Sequence, residues 1–201
     1  MSSSTLLDEL IRALQVQPGV GPASASRIAY YLLDRKRKEG ISLAKALTEA
    51  MEKISYCPKC RNYTDNEGVE CNLCSSSQRM AQRVICVVEH PNDIEAIENS
   101  ASFKGSYFVL HGHISPLDGI GPESIGLDLL KKRIVSEKIE EIILALGQTV
   151  EGDVTASYIA AMAKKMSVKV TRIATGVPLG GSLNTVDGNT LALSFNYRHD
   201  V

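Results

Sequence analysis

Apolar residues follow two different patterns along the chain, and the change from one to the other occurs near Arg83. Before Arg83, apolar residues recur every three or four positions, which is the spacing of amphipathic helices. The predicted helices cover residues 6–14, 23–33 and 43–54. Ser42 is suited to cap the third of these helices. The charged run at residues 34–40 is expected to form a helix end and a loop.

After Arg83, short apolar runs alternate with helical patterns, which is typical of an α/β fold with mainly parallel strands. The predicted strands cover residues 84–88, 107–110, 141–146 and 168–173. The predicted helices cover residues 93–99, 127–136, 154–166 and 190–195. The fold class is therefore α/β, with an N-terminal helical region followed by a Rossmann-like sheet.

Composition adds little to this picture but limits where and how the protein acts. Of the 201 residues, 44% are hydrophobic and 22% are charged, as in an ordinary globular protein. The net charge of -1 provides no general attraction to nucleic acid, so any DNA contact must use a local basic patch. The first residues lack the charge and apolar run of a secretion signal, and no apolar run approaches the ~18 residues of a membrane span. We therefore expect a cytoplasmic protein, in which cysteines stay reduced.

Four of the five cysteines form two C-x2-C pairs separated by ten residues, a spacing typical of zinc sites. These cysteines are Cys57, Cys60, Cys71 and Cys74. Four protein ligands leave no open position for a substrate, so the predicted Zn²⁺ is structural, one per chain. A redox C-x2-C motif is the alternative, but it would need only one pair. Cys86 lies within a predicted strand and is expected to be a core residue.

The turn Pro18-Gly19-Val20-Gly21-Pro22 separates the first two predicted helices and resembles the helix-hairpin-helix motif of sequence-independent DNA binders. Gly19 and Gly21 allow the backbone to approach a phosphate, which the N-terminus of the next helix can bind without contacting bases. Arginine side chains near this turn are candidates for further phosphate contacts: Arg12, Arg27, Arg35 and Arg37. The alternative is a tight turn between helices with no ligand.

Three acidic residues follow predicted strands, whose carboxyl ends meet at one edge of a parallel sheet. Glu89 ends the first strand, and Glu151 and Asp153 follow the third. Together they could hold Mg²⁺. The pattern resembles the Toprim domain of topoisomerases, primases and some nucleases, except that Glu151 replaces the first Asp of its D-x-D motif. Ordinary loop acids are the alternative for each residue.

The order of these three features in about 200 residues is similar to that of RecR, a family of bacterial recombination mediators. Further stretches that resemble this family are residues 110–122, 149–156 and 176–181. The resemblance implies a helix-hairpin-helix region at 1–55, a zinc module at 56–78, a Toprim domain at 79–175 and a C-terminal segment at 176–201. It also implies a DNA-binding ring, a tetramer, that acts at the nucleoid.

The same resemblance implies that the protein binds single- and double-stranded DNA and works with RecO and RecF to load RecA at gaps during DNA repair. It implies no catalysis, and it associates the acidic edge formed by Glu89, Glu151 and Asp153 with binding RecO. Two other classes of function remain possible from the sequence. A metal-dependent Toprim enzyme would cleave DNA with Mg²⁺, and a zinc-stabilised interaction module would not bind DNA at all.

Overall fold

The computed structural model describes residues 5–65, 67–174 and 176–198. The chain divides into a helical unit that ends at Ser55 and an α/β unit that begins at Tyr56. None of the helices within the described ranges is long and apolar enough to cross a membrane.

The helical unit contains three helices: α1 (Thr5–Leu14), α2 (Pro22–Arg35) and α3 (Arg37–Lys53). Ala25 and Ala29 are the fully buried residues of α2, where small side chains permit close packing against its neighbours. The predicted existence of all three helices is confirmed.

The prediction of a loop at residues 34–40 is wrong. Only Lys36 leaves the helical conformation, with φ -135° and ψ 39°, and α3 begins at Arg37 rather than at residue 43. Ser42 therefore lies inside a helix and does not cap one. Lysine, arginine and glutamate are good helix formers, so a charged run can be helical without contributing to the core. Gly40 also packs against Leu32 of α2. A Cβ atom added at Gly40 would lie 3.7 Å from the Leu32 side chain.

The α/β unit begins with a two-stranded sheet of β1 (Ser55–Tyr56) and β2 (Tyr63–Thr64), followed by the short helix α4 (Ser77–Met80). The main sheet contains β3 (Val84–Val88), β4 (Ser106–Val109), β5 (Glu141–Ala145) and β6 (Lys169–Arg172). Its other helices are α5 (Pro91–Asn99), α6 (Leu127–Ser136), α7 (Val150–Lys164) and α8 (Gly188–Asn196).

The main sheet has the strand order β4-β3-β5-β6, and all neighbouring strands are parallel. The predicted α/β class and parallel sheet are confirmed, and each strand lies within two residues of its predicted position. Three predicted helices begin early: α5 starts at Pro91 rather than residue 93, α7 at Val150 rather than residue 154, and α8 at Gly188 rather than residue 190. Because α7 starts at Val150, the candidate site residues Glu151 and Asp153 lie on this helix.

Both faces of the sheet are buried, as strand β3 shows. Ile85 and Val87 face a core that α6 and α7 cover, while Cys86 and Val88 face a core that α5 and the cysteine-bearing segment cover. Burial raises the pKa of the Cys86 thiol to about 12, consistent with the expected core position. The cysteine segment is therefore part of one layer of the α/β unit.

Strand β4 forms an edge of the sheet, yet all four of its residues are buried. The N–H of Val109 donates a hydrogen bond to the carbonyl of Cys60 at 2.8 Å. The carbonyl of Tyr107 accepts a bond of 2.5 Å from Nη1 of Arg133, which is itself buried. An uncovered edge strand is a template for aggregation. The cysteine segment and Arg133 close this edge.

Candidate functional site

The four predicted zinc ligands lie together in one cluster. All four sulfur atoms are within 4.8 Å of one another, and Sγ of Cys60 is 3.4 Å from Sγ of Cys71. A tetrahedral Zn²⁺ site with bonds of about 2.3 Å needs sulfur atoms roughly 3.8 Å apart. Cys57, Cys60 and Cys74 are buried, whereas Cys71 is partly exposed. The donor set, the spacing and the burial fit a structural metal site.

Backbone groups of the two C-x2-C turns are arranged to support negative charge on sulfur. The N–H of Asn62 points to Sγ of Cys60 at 3.5 Å, and the N–H of Cys71 points to Sγ of Cys57 at 3.3 Å. Arg61 closes the first turn with a positive φ of 62° and donates its N–H to the carbonyl of Cys57. Bonds from N–H groups stabilise thiolates, which are the metal-binding form of cysteine.

Hydrogen bonds within the cluster also concentrate negative charge on one residue. Bonds from Cys60 and then Cys74 lower the pKa of Cys71 to about 2. The bond to Cys71 raises the pKa of Cys60, and the bonds to Cys60 and then to Cys71 raise the pKa of Cys74. One thiolate is therefore stable among the four sulfur atoms, and a divalent cation would allow the others to ionise as well.

The glycine-containing turn of the helical unit leaves the start of α2 open. Gly19 has a positive φ of 81°, and a Cβ at either Gly19 or Gly21 would meet nothing within 4 Å. Gly21 is the N-cap of α2, but no side chain caps the amide groups of the first turn. Pro22, which lacks an N–H group, occupies the start of the helix. Exposed amide groups at the positive end of a helix can bind an anion such as phosphate.

The predicted basic residues are exposed on all three helices. Arg27 and Arg35 lie on α2, about 12 Å apart along its axis. Arg12 on α1 donates a bond of 3.3 Å to the carbonyl of Asp8. Within the described part of the chain, Arg12, Arg27, Arg35 and Arg37 have no acidic partner, whereas neighbouring Lys36 pairs with Glu39 at 2.7 Å. These arginines are available to neutralise phosphates.

The acidic edge lies where the strand order reverses, between β3 and β5. Glu89 follows β3, and its Oε1 accepts a hydrogen bond of 2.9 Å from the N–H of Gly147, which follows β5. Such a reversal is where open α/β sheets usually form binding sites. The structure therefore places Glu89 at the edge that its sequence position predicted.

Glu151 and Asp153 do not lie in a loop, contrary to expectation, because they occupy the first turn of α7. The hydroxyl of Thr149 caps this helix by accepting a bond of 3.0 Å from the N–H of Gly152. Carboxylates near a helix N-terminus interact favourably with its dipole. The combination of a threonine N-cap and acids in the next few positions was the sequence signal for this helix start.

Asp153 already has a cation as its partner. Its Oδ1 lies 2.6 Å from Nη1 of Arg172, at the end of β6. Nη2 of Arg172 also donates a bond of 3.2 Å to the carbonyl of Gly147. Arg172 could not be predicted from the sequence, because a single arginine at a strand end belongs to no motif.

The three acids, which could hold Mg²⁺ by their sequence positions, are not assembled into a metal site. Among the described residues, only the four cysteines form a group of three or more potential ligand residues whose ligand atoms lie within 4.8 Å of one another. Glu89 is bonded to Gly147, and Asp153 is bonded to Arg172. The side chains at this edge do not fit Mg²⁺ coordination as they are placed.

Gly152 explains the close packing of this edge. A Cβ at Gly152 would collide with the carbonyl oxygen of Gly147. The first turn of α7 therefore rests directly on the backbone that follows β5. This contact brings the helix start, Asp153 and Arg172 to one place.

His111 has a structural role rather than a metal-binding one. Its Nε2 is 2.7 Å from the carbonyl of Arg61, and its ring packs against Tyr56 with centroids 4.5 Å apart. Burial lowers the pKa of His111, which favours the neutral ring. His113 is not part of the metal cluster.

Comparison with known protein families identifies two segments of this chain. Residues 7–51 match the family model described as RecR, helix-hairpin-helix. Residues 83–174 match the model described as Toprim domain. The four-cysteine cluster lies between the two matched segments. The first match covers the glycine turn and the four candidate arginines, and the second covers the acidic edge.

Proposed function

This chain belongs to the RecR family, with a role in recombinational repair, and we propose that it is a mediator that binds DNA without catalysing a reaction on it. The observation that best supports this proposal is the order of three structural features along the chain. An uncapped glycine turn comes first, then a buried four-cysteine cluster, then a Toprim sheet whose acidic edge lacks a metal arrangement.

DNA binding is attributed to the helical unit. The amide groups at the start of α2 bind a phosphate, and Arg27 contributes charge nearby, with Arg12, Arg35 and Arg37 extending the basic surface. We assign phosphate contacts to these groups, and phosphate contacts carry no sequence information. The protein therefore binds single- and double-stranded DNA of any sequence, with an affinity that falls steeply with salt.

The cation held by the four cysteines is Zn²⁺, one per chain. Thiolate ligands and tetrahedral spacing favour this ion. Cys57, Cys60, Cys71 and Cys74 would hold it, and it would cross-link a polar segment that covers an edge of the sheet. Its role is structural, because four protein ligands complete its coordination.

Helix α3 supports the assembly of several copies into a ring. None of its residues is buried, and Ile41 and Met51 are 68% and 77% exposed. Leu43 and Leu47 add further exposed apolar surface on the same helix. An apolar surface of this kind is typical of a contact with another protein chain. We attribute it to a homo-oligomer, for which the family implies a tetramer.

The acidic edge is proposed to bind RecO, and RecF is the further partner at gaps where RecA is loaded. Glu89, Glu151 and Asp153 provide negative charge at the carboxyl edge of the sheet. A basic surface on the partner would complement it, which increases the association rate and selects the partner. The protein would carry out this work in the cytoplasm, on DNA of the nucleoid.

A metal-dependent DNA-cleaving enzyme is the second candidate, because the Toprim domain that the sequence resembles also occurs in topoisomerases and some nucleases. Such an enzyme needs metal ions near the reacting oxygens and a nucleophile. Asp153 is paired with Arg172, and the hydroxyl of Tyr107 is committed to Glu98 at 2.6 Å. Tyr158 and Tyr197 lie on α7 and after α8. These contacts favour the mediator.

DNA binding measured with and without purified RecO tests the proposal. The anisotropy of labelled single strands and duplexes of unrelated sequence is followed over a range of salt concentrations. We expect similar affinities for all sequences and tighter binding with RecO. Absence of binding in both conditions would favour the interaction module. Cleavage of labelled DNA that needs Mg²⁺ and is lost in Glu89→Ala would favour the enzyme.

A further inference from the structure

We propose that Arg172 is a built-in counter-ion of the acidic edge, which holds Asp153 in place and prevents a divalent cation from binding there. The sequence positions of Glu89, Glu151 and Asp153 would allow a Mg²⁺ site, whereas the side chains do not form one. This role of Arg172 does not depend on DNA binding or on a partner.

Arg172 and Glu89 together bind both backbone polar groups of one residue, Gly147, in the loop after β5. Glu89 accepts the N–H of Gly147 at 2.9 Å, and Arg172 donates to the carbonyl of the same residue at 3.2 Å. The second guanidinium nitrogen of Arg172 binds Asp153 at 2.6 Å. Glu89 and Asp153 are thus held around Gly147 by hydrogen bonds and by the ion pair with Arg172.

Arg172 occupies the charge-neutralising position at this edge permanently. Its guanidinium does not lose its proton in proteins, and its planar donors suit a carboxylate and a carbonyl at once. A divalent cation next to Asp153 would have to displace this group or lie beside it. Repulsion between the two cations scales with the product of their charges, so a dication is disfavoured more strongly than a monovalent ion.

The ion pair is accessible, so a metal ion in solution can compete for Asp153. The side chain of Asp153 is 63% exposed and that of Arg172 is 34% exposed. Burial therefore does not keep a metal ion away from the carboxylate of Asp153. Whether a metal ion binds here depends on which cation, Arg172 or the metal ion, interacts more strongly with the carboxylate of Asp153.

The test measures binding of Mn²⁺ alone, by electron paramagnetic resonance of the free ion, to the full-length protein with its cysteine site loaded. Arg172→Gln removes the charge but retains hydrogen-bond donors. We expect it to bind Mn²⁺ roughly tenfold more tightly than wild type, because a cation next to Asp153 is gone. Adding Asp153→Asn to this variant should remove the gain. Arg172→Lys keeps the charge and should behave like wild type.

Arg83→Gln is the matched control. Arg83 also pairs with a carboxylate, that of Glu140 at 2.7 Å, but this pair lies at the amino ends of the strands, and Arg83 pairs with no second acid among the described residues. Its Mn²⁺ affinity should equal that of wild type. A gain in Arg83→Gln as large as that in Arg172→Gln would overturn the proposal, because the effect would then be general charge removal.

A second comparison does not depend on an Arg172 variant being folded. Wild type and Asp153→Asn should bind Mn²⁺ equally, since Arg172 already keeps the ion from Asp153. Weaker binding by Asp153→Asn would overturn the proposal, as it would show that the metal coexists with Arg172. A folded Arg172→Gln protein with wild-type Mn²⁺ affinity would overturn it as well.

Discussion

The guanidinium of Arg133 donates a hydrogen bond of 3.2 Å to the carbonyl of Lys59, between the first two cysteine ligands. The same nitrogen donates to the carbonyl of Tyr107 on strand β4. Arg133 lies on α6, so one buried side chain joins a helix, the edge strand and the first C-x2-C turn. The metal segment and the sheet are therefore coupled through specific polar contacts as well as through apolar packing.

Replacing Arg133 with Met should destabilise the protein by about 3 kcal/mol, since two carbonyls and Glu137 lose a buried partner. Glu137 lies 2.9 Å from Nε of Arg133, and both side chains are largely buried. The measurement is urea unfolding of the metal-loaded protein. Arg83→Met is the control, because its pair with Glu140 is exposed and should contribute less than about 1 kcal/mol. Equal losses in the two variants would contradict this role of Arg133.

Cys74→Ser should lose its bound Zn²⁺ and aggregate. Removing one of four ligands weakens the metal site, and the segment that covers strand β4 loosens with it. Metal analysis and light scattering measure the two effects. Cys86→Ala is the control, because Cys86 is buried outside the cluster and its replacement should leave the metal content unchanged. A soluble, fully assembled Cys74→Ser protein without zinc would exclude a structural role for the metal.

The cysteine cluster and the parallel sheet could be predicted because their signals are local. Paired cysteines at fixed spacing indicate a metal site, and apolar runs bounded by helical patterns indicate buried strands. The start of α3 was missed because a charged run has no apolar stripe, although its residues favour a helix. Arg133 and Arg172 were missed because their partners are remote in sequence: Lys59 is 74 positions away from Arg133 and Asp153 is 19 away from Arg172. Only the fold brings such pairs together.

Arg27→Ala should weaken DNA binding to a similar degree for unrelated sequences. A phosphate contact carries no base information, so the slope of log affinity against log salt should fall by roughly one unit. Anisotropy titrations at several salt concentrations measure both quantities. Lys53→Ala serves as the control, since Lys53 is paired with Glu49 at the far end of α3. Wild-type binding by Arg27→Ala at every salt concentration would place the DNA surface elsewhere.

Glu98 makes the stability of the α/β unit depend on acid pH. Burial raises its pKa, but hydrogen bonds from Tyr107 and Arg79 outweigh this effect, so the pKa is lower than the usual 4.5. A carboxyl with a lowered pKa in the folded state stabilises it at neutral pH, and this contribution is lost as the pH falls below about 4.5. Glu98→Gln should therefore be less stable at pH 7 and should lose less stability on acidification.

Unfolding free energies of wild type and Glu98→Gln between pH 3 and pH 7 measure this dependence. Glu95→Gln, an exposed position on the same helix, should follow the wild-type curve. If the Glu98→Gln curve ran parallel to that of wild type over the whole range, the contacts of Glu98 with Arg79 and Tyr107 would not be the cause of the acid sensitivity.

Glu151→Lys should abolish the proposed complex with RecO while leaving metal content and oligomer size unchanged. Glu151 lies in the first turn of α7, and no side-chain hydrogen bond or ion pair is found for it among the described residues. Reversing its charge should therefore cost the fold little, apart from the loss of a favourable interaction with the helix dipole. A basic partner surface would instead meet a lysine, and like charges across an interface cost several kcal/mol. Co-elution with purified RecO, metal analysis and light scattering provide the three measurements. Glu140→Lys is the matched control, because this exposed acid lies at the amino ends of the strands, opposite to Glu151. The Glu140→Lys protein should still bind RecO. A Glu151→Lys protein that still bound RecO with wild-type affinity would show that this edge is not the docking surface.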